Sequence, residues 1–354
     1  MTYYIMNKDN IVLQFDKDTK LVTVLNEQLL PFNIINRPKN YDMVKKFCVD
    51  RLMMLNRVNS EELLYAIGLD EVNAVEICIK TKGLSYTDNY WITNRGNLEN
   101  WSDINLHRNQ ISKEIAEIGL TGKLTTVNTK NMLTGEYTLK GTKGKCVIQE
   151  DRELYLYKEE HESEINAEIL SMYIAKMLGI SCVEYWNSVK WSRHCSCSKL
   201  FTSERIELIP CRDILTAYNE TEMSINGQYY SYFMLLGGMN FFKMQLFDYI
   251  TLNTDRNRDN FGLLKIDGKV VGLSPLYDHD SCFKGISETG YYFVTGLTYE
   301  KTLECLKLSP YYTYLKETIL NLKKEVLTKD FKERFLIYKD TEQYDNMLGR
   351  ISNL

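Results

Sequence analysis

The chain has 354 residues, 44% of them hydrophobic, with a formal net charge of −4. That is enough for one large or two to three ordinary domains with a sizeable core, and too apolar for disorder to be the default. The small, dispersed charge argues against direct nucleic-acid binding, which usually leaves a strong basic patch.

In chain order, residues 1–10 lack the basic start and apolar run of a signal peptide. Short alternating runs at 11–13 and 21–24 read as strands, and a helix is predicted over 41–56. A second helix over 60–67 places Leu63, Leu64 and Ile67 on one face. From about residue 120 the texture changes. Strands are predicted at 137–139, 146–149 and 154–158, separated by glycine or charged turns. A helix follows over 162–178, stopped by Gly179. Next comes the cluster His194-Cys195-Ser196-Cys197. It lacks the second ligand pair of a zinc site. The nine cysteines, unpaired in spacing, read as reduced thiols of a cytoplasmic protein.

A strand over 206–209 ends at Pro210, and beyond it helical patterns dominate: 213–218, 229–252 and much of 302–354. The apolar stretch from 229 to 250 is interrupted by Asn240, Lys243, Gln245 and Asp248. It reads as a core helix and not as a membrane span. Sheet-rich sequence followed by helical sequence predicts an α+β fold. The expected division is 1–120 as an accessory region, 121–205 as a sheet-rich lobe, and 206–354 as a helical lobe.

The most informative stretch is Asn253-Thr254-Asp255-Arg256-Asn257-Arg258-Asp259-Asn260-Phe261-Gly262. It follows the long apolar helix and precedes two strands, 263–266 and 270–273, joined by the turn Asp267-Gly268. Pro275-Leu276-Tyr277-Asp278 comes next. Phosphoryl transfer needs a carboxylate near the acceptor hydroxyl, oxygen ligands for Mg²⁺, and cations for the remaining charge. A loop Asp followed five residues later by Asn places a base and an amide oxygen at opposite ends of one tight loop. The hairpin can return the chain so that a second carboxylate faces the same ion. Asp255 is therefore the expected catalytic base, and Asn260 and Asp278 the expected metal ligands. Asp and Asn also suit ordinary turns; the order helix, loop, hairpin, Tyr-Asp is what favours chemistry.

Upstream, period two puts Leu154, Leu156 and Lys158 on one strand face, and Lys158 is the expected phosphate contact. On the next helix Glu168 falls beside the stripe Ile165, Ile169 and Met172. A carboxylate on that buried edge needs a partner, and Lys158 is the natural one; Glu164 is an equally plausible inward candidate. Gly141 and Gly144, in a turn between two predicted strands, could offer backbone amides to phosphates. The turn is not a Walker A loop, since Cys146 stands where Ser or Thr would hold Mg²⁺.

With these residues in place, the chain resembles the HipA-like kinases, a bacterial group related in fold to protein kinases and phosphoinositide kinases. The likeness rests on 154–158, on Ala167-Glu168 through Gly179, on 253–262 and on 273–278. Thr87-Asp88-Asn89-Tyr90-Trp91-Ile92 and Trp101-Ser102-Asp103-Ile104-Asn105 extend it into the first third. It implies a bilobal protein-kinase-like fold binding MgATP, with Lys158 on the phosphates, Asp255 as base, and Asn260 and Asp278 on the metal. It further implies Ser/Thr protein kinase activity, with autophosphorylation at Thr138 or Thr142, and for some members a toxin role beside a DNA-binding antitoxin. Many relatives carry His two residues after the loop Asp, where this chain has Asn257, which cannot carry a positive charge at neutral pH. A nucleotide-binding module that transfers little, and a kinase acting on a small molecule, are the alternatives.

Overall fold

The computed structural model describes the chain apart from residues 70–71, 95, 97–98, 128–132, 219–235 and 285–294. The fold is α+β, and it divides into two compact units. One comprises Met1–Glu159, Ser188–Asn219 and Lys265–Lys269; the other Glu160–Asn187, Glu220–Leu264 and Val270–Leu354.

In the first unit, β1 (Thr2–Asn7), β2 (Asn10–Asp16), β3 (Val22–Val24) and β4 (Tyr90–Asn94) form an antiparallel sheet in the order β3-β2-β1-β4. The period-two pattern sets its two faces. Tyr3, Ile5, Leu13 and Phe15 pack with Val44, Phe47 and Cys48 of α1 (Tyr41–Arg51) and with Val75 and Cys78 of α3 (Ala74–Lys80). Tyr4, Met6 and Trp91 face a second core that includes Val147 and Leu154. Between these helices lies α2 (Ser60–Ala66); α4 (Trp101–Ile104) and α5 (Lys113–Thr121) follow β4.

The second sheet runs β5-β6-β8-β7, with β5 at Lys145–Glu150, β6 at Glu153–Glu159, β7 at Trp186–Lys190 and β8 at Arg193–Lys199. Its face opposite Val147 and Leu154 carries Cys146, Ile148, Tyr157, Cys195 and Cys197, covered by Ala116 and Leu120 of α5. Cys195 and Cys197 are thus core side chains. Then come β9 (Ile206–Pro210) and α7 (Cys211–Ala217).

The strand predicted at 137–139 is instead a single 3-10 turn, Glu136–Thr138. Its backbone serves loop contacts and not a ladder: the Tyr137 carbonyl accepts the Met53 N–H at 2.7 Å. The Tyr137 hydroxyl donates to the Leu63 carbonyl at 2.9 Å. Beneath it lies a fully buried ion pair, Arg57–Glu136, at 3.2 Å. Arg57 also donates to the carbonyls of Glu136, Gly119 and Lys145, at 2.8, 3.4 and 2.5 Å, so one guanidinium ties three stretches of chain together.

The hairpin strands β10 (Gly262–Ile266) and β11 (Lys269–Leu273) divide between the units, with Lys265–Lys269 in the first; the second unit also holds α6 (Glu162–Met177), α8 (Gly238–Thr251) and four C-terminal helices. These last are α9 (Tyr299–Leu308), α10 (Pro310–Val326), α11 (Lys329–Tyr338) and α12 (Thr341–Asn353). Each starts on a side-chain cap, Thr298, Ser309, Thr328 and Asp340 in turn, accepting a first-turn N–H. Asp267 and Gly268 both have positive φ, 47° and 84°. A two-residue hairpin turn of that kind demands it. Residues 229–235 of the predicted 229–252 helix lie outside the described residues, and no described helix is long and apolar enough to cross a membrane.

Burial pushes the Glu136 carboxyl up to about 7, against the pull of Arg57 and of the Val147 N–H. Between the ordinary 4.5 and that value the folded chain binds more protons than the unfolded one. Stability contributed here is therefore lost as pH rises. Urea unfolding across this window should show wild type losing stability, relative to Glu136→Gln, as pH increases; parallel curves would contradict the reading.

Candidate active site

The site is built in the second unit around one buried cation. Helix α8 is largely apolar on its buried side, and Asp248 is its one buried charged residue, about 1% exposed. A desolvated carboxylate needs a counter-charge. It is Arg256, eight residues on, also about 1% exposed and bonded to Asp248 at 3.0 Å through Nη2. Burial pushes the Asp248 carboxyl up, with the guanidinium acting the other way.

The remaining donors of Arg256 reach both candidate loops. Nη1 donates to the Asn260 carbonyl at 2.9 Å and to the Tyr277 carbonyl at 2.8 Å. Nη2 lies 3.2 Å from His279 Nδ1. Asp255–Asn260 and the Tyr277–His279 segment are therefore clamped to one side chain. The Tyr277 hydroxyl adds a 2.7 Å bond to the Asp259 carbonyl.

Within the first loop the backbone turns tightly. The Asn257 N–H donates to the Asp255 carbonyl at 2.7 Å, and the Asn260 N–H to the Asn257 carbonyl at 3.0 Å. Asn257 Oδ1 accepts the Asp259 N–H at 2.9 Å, so this residue serves the turn itself. Asn260 Nδ2 donates to the Asp255 carbonyl at 3.3 Å, an orientation that leaves the amide oxygen to offer to a cation. Asp255 lies at the surface, yet its carboxyl is held above the ordinary range, by desolvation first and then by repulsion from Asp278 and Asp280. Arg256 and Lys284 act in the opposite sense. Asp255, Asp278 and Asp280 thus feel one another's charge across loops more than twenty residues apart in sequence.

Three non-glycine residues in the left-handed region bracket these loops: Leu252 at φ 55°, Asp278 at 60° and Phe283 at 62°. Each costs on the order of 1–2 kcal/mol, and such strain concentrates where a fold positions function. Asp278 is held by its N–H, which donates to the Tyr185 hydroxyl at 3.0 Å.

Glu168 is fully buried in α6 and accepts the His279 N–H at 2.8 Å. Glu164 has a different job: it caps α6 through the His161 N–H at 3.1 Å and pairs with Lys284 at 3.1 Å.

In the first unit, Lys158 is buried at the end of β6, directly across from Lys145. Lys145, also buried, donates to the Lys140 carbonyl at 2.6 Å. The segment of Gly141 and Gly144 is a loop between the 3-10 turn and β5, and not the expected hairpin. Gly141 has φ +90°, and a Cβ there would come within 2.5 Å of Lys145 Nζ.

The donor set of Asn260 and Asp278, an amide oxygen and a carboxylate, suits a hard divalent cation. No group of three or more His, Cys, Asp and Glu side chains is gathered for an ion among the described residues. Two protein oxygens are what a Mg²⁺ completed by phosphate oxygens and water requires. A cavity of about 370 Å³, whose walls include Leu252, Phe283, Tyr299 and Arg350, is lined by none of Asp255, Asn260 or Asp278.

Sequence reasoning missed Arg256, His279 and Tyr185. For Arg256 a signal existed. Asp248 interrupts an apolar helix, and a buried Asp is rarely left without a partner. His279 and Tyr185 carry none, because the groups they bond, among them the Asp278 N–H, the Glu168 carboxylate and the Arg256 guanidinium, are brought to them only by the fold.

No protein-family model matches the chain, and no curated protein matches it. Among solved structures it is similar to HipA of Shewanella oneidensis MR-1, described as a toxin–antitoxin system of HipA, HipB and its operator DNA. The TM-score is 0.61 at 13% identity, over 99% of this chain and 96% of that one. A second similarity is to the Helicobacter pylori proinflammatory kinase CtkA, with TM-score 0.42 and 16% identity over 59% of this chain and 88% of that one. The chain has a HipA-like fold.

Removing Asp248 leaves Arg256 buried without its counter-charge. Asp248→Ala should lower unfolding free energy by about 3–5 kcal/mol in urea titration; a loss below about 1 kcal/mol would show that the pair does not organise the loops.

Proposed function

We propose that this chain, with its HipA-like fold, is an ATP- and Mg²⁺-dependent kinase that transfers the terminal phosphoryl group to a hydroxyl, most simply a Ser or Thr of a protein, itself included. One observation carries the reading. Nη1 of Arg256 bonds the carbonyls of both Asn260 and Tyr277, so the two loops bearing Asp255, Asn260 and Asp278 are held together.

In this reading residues 121–205 bind the nucleotide, 206–354 supply the catalytic and metal loops, and 1–120 are accessory. Asp255 accepts the proton of the attacking hydroxyl, and its raised affinity for protons suits a base. Asn260 and Asp278 hold Mg²⁺, which when bound offsets phosphate charge as it shifts toward the leaving oxygen. Lys158 meets the phosphates. Gly141 and Gly144 lie beside the phosphates, with Thr138 and Thr142 as hydroxyls for self-modification. A DNA-binding antitoxin is the partner suggested by the assembly around the Shewanella oneidensis structure.

Asn257 spends its side chain on the turn and brings no charge to the phosphates, which favours slow turnover over loss of nucleotide binding. The extreme of that tendency is a binding module without transfer.

Incubation with labelled ATP and Mg²⁺, without added substrate, separates these readings. Wild type should become labelled, and Asp255→Asn should lower the rate by about 10²–10⁴ while still binding nucleotide. Tight binding with no labelling of the wild type, or labelling unaffected by the substitution, would contradict the assignment.

A further inference from the structure

We infer that Glu168 is a positioning residue for the Asp278 loop, acting through the backbone of His279; this rests on the kinase reading only for its consequence in metal binding. Asp278 sits at φ 60°, a conformation that is unfavourable for an L-residue and is sustained here by bonds on its flanks. The two N–H groups that bracket this conformation are both taken by side chains from 168–185. The Asp278 N–H donates to the Tyr185 hydroxyl at 3.0 Å, and the His279 N–H to Glu168 Oε2 at 2.8 Å. Glu168 and His279 are fully buried, so the bond between them does not compete with water.

The imidazole locks the other side. Arg256 can only donate, so His279 Nδ1, 3.2 Å from its Nη2, accepts. In the neutral ring the proton then lies on Nε2, facing Cys182 Sγ at 3.3 Å. Tyr185 and Phe247 meet the ring edge-on at 6.2 and 5.1 Å. Just upstream, Val183 N–H donates to the Leu276 carbonyl at 2.9 Å, and Leu276 N–H to the Ser181 carbonyl at 2.8 Å. Helix α6 and the segment after it thus set the direction of the Asp278 carboxylate, and a displacement of α6 would carry that carboxylate with it. Glu168 therefore does more than offer a negative charge to a lysine.

The test exploits a difference between acceptor and charge. Glu168→Gln keeps an oxygen for the His279 N–H and loses the charge; Glu168→Leu keeps bulk and loses both. Tyr185→Phe, which leaves the ring packing, removes the acceptor for the Asp278 N–H and covers the case in which Glu168→Leu does not fold. On the full-length chain without nucleotide, amide hydrogen exchange over 276–280 should accelerate about tenfold or more in Glu168→Leu and Tyr185→Phe, and stay near wild type in Glu168→Gln. Mg²⁺-dependent ATP binding should follow the same order. Unchanged exchange in Glu168→Leu and Tyr185→Phe overturns the proposal, as does Glu168→Gln loosening the loop as much as Glu168→Leu. Loosening of the loop in a chain that binds no ATP at all would sink the kinase reading and leave the positioning role standing.

Discussion

A guanidinium cannot shed its charge in a protein and carries five donors in a rigid fork, so burying one dictates the placement of everything around it. Arg256 is buried to about 1% exposure. Its fork is accounted for by Asp248, the carbonyls of Asn260 and Tyr277, and the ring nitrogen of His279. These partners come from a helix and two loops separated by the β10–β11 hairpin. None has a strong reason to meet another on its own. The carboxylates nearby repel one another, and that repulsion adds to desolvation in raising the proton affinity of Asp255. A neutral substitute for Arg256 would relieve the desolvation cost but remove what holds these like charges close to one another. The site is thus assembled by a group that takes no part in the chemistry proposed for it.

The same economy appears in the first unit, where Arg57 does for the chain around Glu136 what Arg256 does for the Asp255 and Asp278 loops. Each arginine uses backbone carbonyls as well as a carboxylate. Around Arg256 the accepting carbonyls, of Asn260 and Tyr277, lie in segments whose backbone is spent neither in a sheet ladder nor in a helix. Such segments carry φ angles of the left-handed kind at Asp278 and Phe283, and they keep them because the packing around them leaves no alternative.

Much of the fold was legible from periodicity and punctuation. The 162–178 helix and its Gly179 stop, the 154–158 strand, and the Asp267-Gly268 hairpin all lie within a residue or two of where the pattern places them. The predicted 41–56 helix ends earlier, at Arg51, which turns aside to hold Asp88 and the carbonyls of Gly83 and Tyr90. The 137–139 segment reads as a strand by composition. It became a 3-10 turn because Tyr137 is needed as a core anchor and its carbonyl is claimed by Met53. The candidates Asp255, Asn260 and Asp278 stand out in the sequence because turn chemistry and oxygen ligands use the same residue types. What the sequence could not reveal is that His279 would offer its backbone to Glu168 and its ring to Arg256. Those bonds depend on where an element a hundred residues earlier ends up.

The measurement that bears most directly on this account is a crystal structure of the full chain with Mg²⁺ and a non-hydrolysable ATP analogue. The account predicts one Mg²⁺ bound by the Asn260 amide oxygen and an Asp278 carboxylate oxygen at about 2.0–2.1 Å, with phosphate oxygens completing its shell and Asp255 facing the terminal phosphate. Nucleotide bound elsewhere, or an ion that touches neither Asn260 nor Asp278, would contradict it.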